Sequence, residues 1–81
     1  MTLFPQVMIN VKVKEKPEIT SVPEIGQIIG QVEKKLEDKG RVLVRYSGTE
    51  PVCRVMVEGE SQETIQQYAE EIAGLIEKRL G

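Results

Sequence analysis

The chain is predicted to be α+β: a small antiparallel sheet of three to four strands with two helices on one face, in the order β-α-β-β-α. Three observations lead there. Three stretches read as β-strands, the first with strict apolar-polar alternation, the mark of a strand with one buried face. Two longer stretches carry apolar residues at helical spacing and are bounded by cap or stop signals. The length, 81 residues, suffices for one small core and not for two.

The first strand lies in "PQVMINVKVKEK". Val7, Ile9, Val11 and Val13 point one way, and Met8, Asn10, Lys12 and Lys14 the other. Lys12, Lys14 and Lys16 read as a solvated strand edge, which discourages pairing with a second chain. The connector "PEITSVPEIG" follows, with two prolines, and "PEIT" is the place where a fourth short strand would fit.

In "VPEIGQIIGQVEKKLEDKG", Ile25, Ile28, Ile29, Val32 and Leu36 form one helical stripe. Ser21 or Thr20 can cap its start, and Pro23 is tolerated in the first turn. Gly40 after Lys39 fits a left-handed stop. Gly26 and Gly30 weaken the helix by about 1 kcal/mol each relative to Ala. Close packing against the sheet explains them better than phosphate binding, which needs glycines before a helix.

"RVLVRY" and "VCRVMVEG" are the next two strands. Placing the third strand between the first and second keeps every neighbour antiparallel. "SQETIQQYAEEIAGLIEKRL" is the second helix. Ser61 is its N-cap, Glu63 favours its positive end, and Lys78 and Arg79 favour its negative end. Ile65, Tyr68, Ala69, Ile72, Leu75 and Ile76 make its apolar stripe.

Composition narrows the function. Net charge is -2 and there are only three aromatic residues, which argues against nucleic-acid binding by a basic stripe or a stacking platform. Histidine is absent and Cys53 is the single cysteine. A transition-metal site and a histidine base are thereby disfavoured. Cys53 reads as a small core residue, not a nucleophile, and no intrachain disulfide can form, which suits a reducing cytoplasm. No run approaches the roughly 20 apolar residues of a membrane span, and "MTLFPQVMINVK" lacks the pattern of a signal peptide.

The hairpin loop "RYSGTEP" carries more hydrogen-bonding chemistry than a tight turn needs. A ladder in which paired residue numbers sum to 99 sets Val44 against Val55, Val42 against Val57 and Tyr46 against Cys53 on one face. The other face then pairs Leu43 with Met56, Arg41 with Glu58 and Arg45 with Arg54. Directly opposed like charges destabilise a sheet, and an anion between them removes the conflict. The arginine fork grips phosphate or carboxylate in two places. Ser47 and Thr49 add hydroxyls, Gly48 lets backbone N–H groups approach a ligand, Pro51 stiffens the loop and Glu50 is placed to hold an arginine. On these residues alone two readings stay open: an anion cradle, or a solvated rim with an ordinary Ser-Gly-Thr turn.

"RYSGTEPVCRVMVEGE" closely resembles the phosphate-binding loop of the α-D-phosphohexomutases, and "PQVMINVKVKEKP" resembles the start of their last domain. The resemblance implies a fold of the TATA-box-binding-protein-like kind. It implies a chain that is one phosphate-binding domain over 1–81, the C-terminal domain of a larger mutase, with about 1–6 as former interdomain linker. Such enzymes are isomerases that move a phosphoryl group between the 6- and 1-positions of a hexose through a bisphosphate. A phosphoserine, a magnesium-binding aspartate loop and a sugar-reading loop would lie in other domains. Glucosamine phosphate is the expected substrate, with the other domains of the same chain as partners and neither nucleic acid nor membrane among them. Arg45, Ser47, Gly48, Thr49 and Arg54 would hold the phosphate that is not reacting, with Glu50 in support. This fragment would itself contain no catalytic residue and no cofactor, and is expected to be inactive alone. A small nucleic-acid-binding module, or a protein-interaction module using the Leu43 and Met56 face, is the alternative.

Overall fold

A computed structural model describes residues 4–81. Residues 1–3 of the expected linker, and the side chain of Thr20 as a candidate cap, lie outside the described residues. The elements run β1 (Gln6–Lys12), a 3-10 turn (Ile19–Ser21), α1 (Pro23–Leu36), a second 3-10 turn (Glu37–Lys39), β2 (Arg41–Tyr46), β3 (Val52–Glu58) and α2 (Gln62–Leu80). This is the expected β-α-β-β-α order. "PEIT" forms no strand: its end enters the first 3-10 turn, and the sheet among the described residues has three strands. β1 begins at Gln6, inside the segment expected as linker.

The sheet order is β1-β3-β2, with both neighbouring pairs antiparallel. The β2–β3 register is the one whose numbers sum to 99, with Val44 on Val55, Tyr46 on Cys53 and Arg45 on Arg54. β1 joins the other edge of β3 with Val7 on Val57 and Val11 on Cys53. The period-two alternation therefore gathers the β-branched residues of three strands onto one face.

Both helices cover that face. α2 lies over β1 and β3, while α1 packs on β2 and against α2. Ile25, Val32, Val55, Val57, Ile65, Ile72 and Ile76 are buried between them, together with Cys53. Burying each such side chain contributes roughly 1.5–3 kcal/mol relative to exposure. The start of α1 is also tied to the end of α2 by the Arg79–Glu24 ion pair at 2.5 Å. Ser61 caps α2 as expected, its hydroxyl accepting the Thr64 N–H at 3.4 Å.

Three expectations about α1 need correction. Its N-cap is Val22, without a side-chain cap, and the Ser21 hydroxyl instead donates to the Glu18 carbonyl at 2.6 Å. Gly26 and Gly30 are not packed against the sheet: a Cβ at either would meet nothing within 4 Å. Gly40 is not left-handed either, because its φ of 179° is extended backbone, and the positive φ at the helix end belongs to Glu37 (55°). What requires glycine at 40 is close approach, since a Cβ there would collide with the Glu58 carbonyl oxygen. The chain enters β2 by passing directly beside the end of β3, and this seats the hairpin.

Candidate functional site

The uncovered face of the sheet carries three rows of side chains that cross all three strands, and beyond them a two-strand pair, Lys12 and Val52. The first row is Gln6, Glu58 and Arg41, the second Met8, Met56 and Leu43, and the third Asn10, Arg54 and Arg45. In the first row opposite charges meet, and Arg41 Nε donates to Glu58 Oε2 at 3.1 Å. The second row is apolar, with Met8 60 % and Leu43 40 % exposed and Met56 buried between them. This is the face named above for a protein-interaction alternative.

The third row has no internal charge balance. Arg45 and Arg54 are paired across the ladder and both are exposed. Among the described residues neither guanidinium has a carboxylate within 4.0 Å. The two side chains line one depression of about 380 Å³ on the open face, bounded on the other side by Met8, Leu43 and Met56. Glu50 makes no ion pair with either arginine, so the support expected of it is absent from this conformation.

Ser47, Gly48, Thr49 and Glu50 form the loop at the end of this hairpin, beside the arginines but not lining the depression. The loop closes through Ser47 N–H to the Val52 carbonyl at 2.8 Å and Val52 N–H to the Glu50 carbonyl at 2.8 Å, a tight turn around Pro51. The Thr49 and Glu50 N–H groups both point at Ser47 Oγ, at 3.4 Å each. Those bonds are long and neutral, and a charged oxygen would be a stronger acceptor for the same donors. Gly48 and Thr49 are exposed, and the Gly48 N–H has no partner among the described residues.

Beneath the loop, Tyr46 faces the core side and donates its hydroxyl to the Pro17 carbonyl at 2.5 Å. Burial raises the pKa of Tyr46 above its ordinary 10.0, with Cys53 adding to the effect. Cys53 is fully buried, and burial likewise raises its thiol above 9.0. A buried, neutral thiol is a core residue, as the sequence reading held.

Lys16 has a different place from the one expected. Its ammonium does not simply decorate a strand edge: Nζ donates to the Ser47 carbonyl at 2.9 Å. Val13 N–H reaches the Pro51 carbonyl at 2.8 Å from the same segment. No local signal marks this. Lys16 is 31 positions from Ser47, and only the placement of β1 beside β3 brings them together.

Fold and loop thus define a class of domain: a three-stranded α+β layer pair that presents two unpaired arginines and a hydroxyl-bearing turn at one end of its sheet. The family model for the phosphoglucomutase/phosphomannomutase C-terminal domain matches residues 8–75, and the chain belongs to that family. Among curated relatives, the phosphoglucosamine mutase of Syntrophus aciditrophicus is 53 % identical over all 81 residues, and that of Geobacter metallireducens 51 %. This chain spans 18 % of the length of each. Among solved structures, an N-acetylphosphoglucosamine mutase of Aspergillus fumigatus superposes with a TM-score of 0.75 at 25 % identity, covering 93 % of this chain and 15 % of that one.

Proposed function

We propose that this chain is the domain that grips the non-reacting phosphate of a phosphohexosamine in a larger mutase interconverting glucosamine 6-phosphate and glucosamine 1-phosphate. The observation that carries the reading is the opposed pair Arg45 and Arg54, with no carboxylate between them, beside a loop whose backbone donors are free or weakly used. Arg45 and Arg54 supply charge and bidentate geometry. Ser47, Thr49 and the Gly48 N–H supply hydrogen bonds, and Glu50 contributes its backbone N–H in place of an ion pair. Relatives that are phosphoglucosamine mutases over the whole of this chain support the choice of sugar.

A phosphate held here is remote from the bond being broken. Its binding energy can orient the sugar and favour closure of the cleft over it. A clamp that ignores the sugar accepts either phosphate end, as a bisphosphate route demands. The phosphoryl carrier and magnesium belong, on this reading, to other parts of a longer cytoplasmic protein. Among the described residues no group of three or more His, Cys, Asp or Glu side chains converges to hold a metal ion, and no helix is long and apolar enough to cross a membrane.

Backbone amide spectra of the 81-residue chain check the reading. Inorganic phosphate or glucosamine 6-phosphate at millimolar concentration is expected to shift Ser47, Gly48 and Thr49, and an RNA oligomer is not. Unmoved loop amides under phosphate would remove the cradle.

A further inference from the structure

We infer that Lys16 is a positioning residue for the anion loop: it holds the Ser47–Gly48 peptide with its carbonyl turned toward the ammonium, so that the Gly48 N–H points away from Lys16. The inference rests on the phosphate-cradle reading. Lys16 Nζ donates to the Ser47 carbonyl at 2.9 Å. That carbonyl and the Gly48 N–H belong to one peptide unit, and in a planar trans peptide the two point in opposite directions. Fixing the oxygen against the ammonium therefore aims the N–H away from Lys16, and it has no partner there among the described residues. Glycine on the C-terminal side of this peptide lowers the cost of turning it over. Without a tether, the carbonyl oxygen would be free to rotate into the position an anion needs.

Lys16 is itself well located for the task. The segment that bears it is pinned to both arms of the hairpin. On one side Val13 N–H bonds to the Pro51 carbonyl at 2.8 Å, and on the other the Pro17 carbonyl accepts the Tyr46 hydroxyl at 2.5 Å. Lys14 N–H bonds to the Leu80 carbonyl at 2.6 Å, which ties the segment to the end of α2. The ammonium also polarises the peptide it holds, which strengthens the Gly48 N–H as a donor. The run "KVKEKP" thus contains one lysine with a structural partner: among the described residues Lys12 and Lys14 make no side-chain bond.

The test is an inorganic phosphate titration of the 81-residue chain as wild type, Lys16→Met and Lys16→Arg, read at the amides of 47–50 in low salt and in about 0.5 M chloride, where exposed charges are screened within a few ångströms. Lys16→Met is expected to weaken phosphate roughly five- to tenfold, the net size of one ordinary hydrogen bond, because Lys16 acts through the loop and does not touch the anion. The ratio to wild type should survive high salt, the Gly48 shift should shrink most, and core amides should stay put. Lys16→Arg should recover most of the affinity. Equal affinity in wild type and Lys16→Met overturns the inference and leaves the cradle standing, as does a loss that disappears in high salt, which would mean charge alone. No shift in the wild type overturns cradle and inference together.

Discussion

The two faces of the sheet are built from the same three strands, one residue out of phase, and they have opposite electrostatic character. The covered face is all apolar apart from a tyrosine hydroxyl that bonds the Pro17 carbonyl. The open face stacks a neutral ion-pair row, an apolar row, a row with two unbalanced arginines and, at its end, the pair of Lys12 and Val52. On the covered face every group is paired or apolar, as burial demands. On the open face a like-charge pair persists that would be unfavourable if stability alone were at stake. Alternation thus lets one hairpin carry the core on one side and the arginines of the proposed phosphate cradle on the other, with the loop at the end where both sets of strand residues stop.

Substitutions should separate the faces. The largest effect is expected beneath the covered face: Ile72→Ala removes a fully buried side chain and should lower unfolding free energy by about 2–5 kcal/mol. Urea denaturation measures this, and under native conditions phosphate affinity should hold. A fall in affinity at full folding would mean that the two faces are not independent. Next comes Arg45→Met, which should weaken phosphate roughly tenfold or more. It should leave stability within about 0.5 kcal/mol of wild type or raise it, because an opposed like charge is removed. Marked destabilisation would make the arginine pair structural instead.

The smallest effect is alkaline. Burial raises the pKa of Cys53 above 9.0 in the folded chain, so the fold keeps a proton that the unfolded chain loses. Such a group contributes stability that is complete below the unfolded value and is lost as pH rises toward the folded one. Tyr46, raised above 10.0, acts in the same sense. Stability should therefore fall from pH 9 upward, and less steeply in Cys53→Ala. An identical slope in that variant would place the alkaline loss on Tyr46 and the surface.

Much of this was legible in the residues. Alternation in β1, and the match of Val42, Val44 and Tyr46 to Val57, Val55 and Cys53, are enough to set the register and hence the Arg45–Arg54 pair. Those are local properties of strands with one buried face. Helix α2 was legible from its stripe and its Ser61 cap for the same reason. Helix α1 was less so. Its glycines face open space and its stop lies at Glu37, because the turn into β2 is shaped by the passage of Gly40 beside Glu58. That contact is between segments far apart in the chain.

Sequence by itself determined the element order, the two-faced sheet and the arginines that face each other, since each follows from periodicity and nearest neighbours. Tertiary structure decided what surrounds the loop. The Glu50 N–H bonds to Ser47 Oγ while its carboxylate pairs with neither arginine, and Lys16 reaches the Ser47 carbonyl from the segment that follows β1. The reason is physical. Register propagates along a ladder from local alternation, whereas a side chain 31 positions away meets its partner only after the sheet has closed.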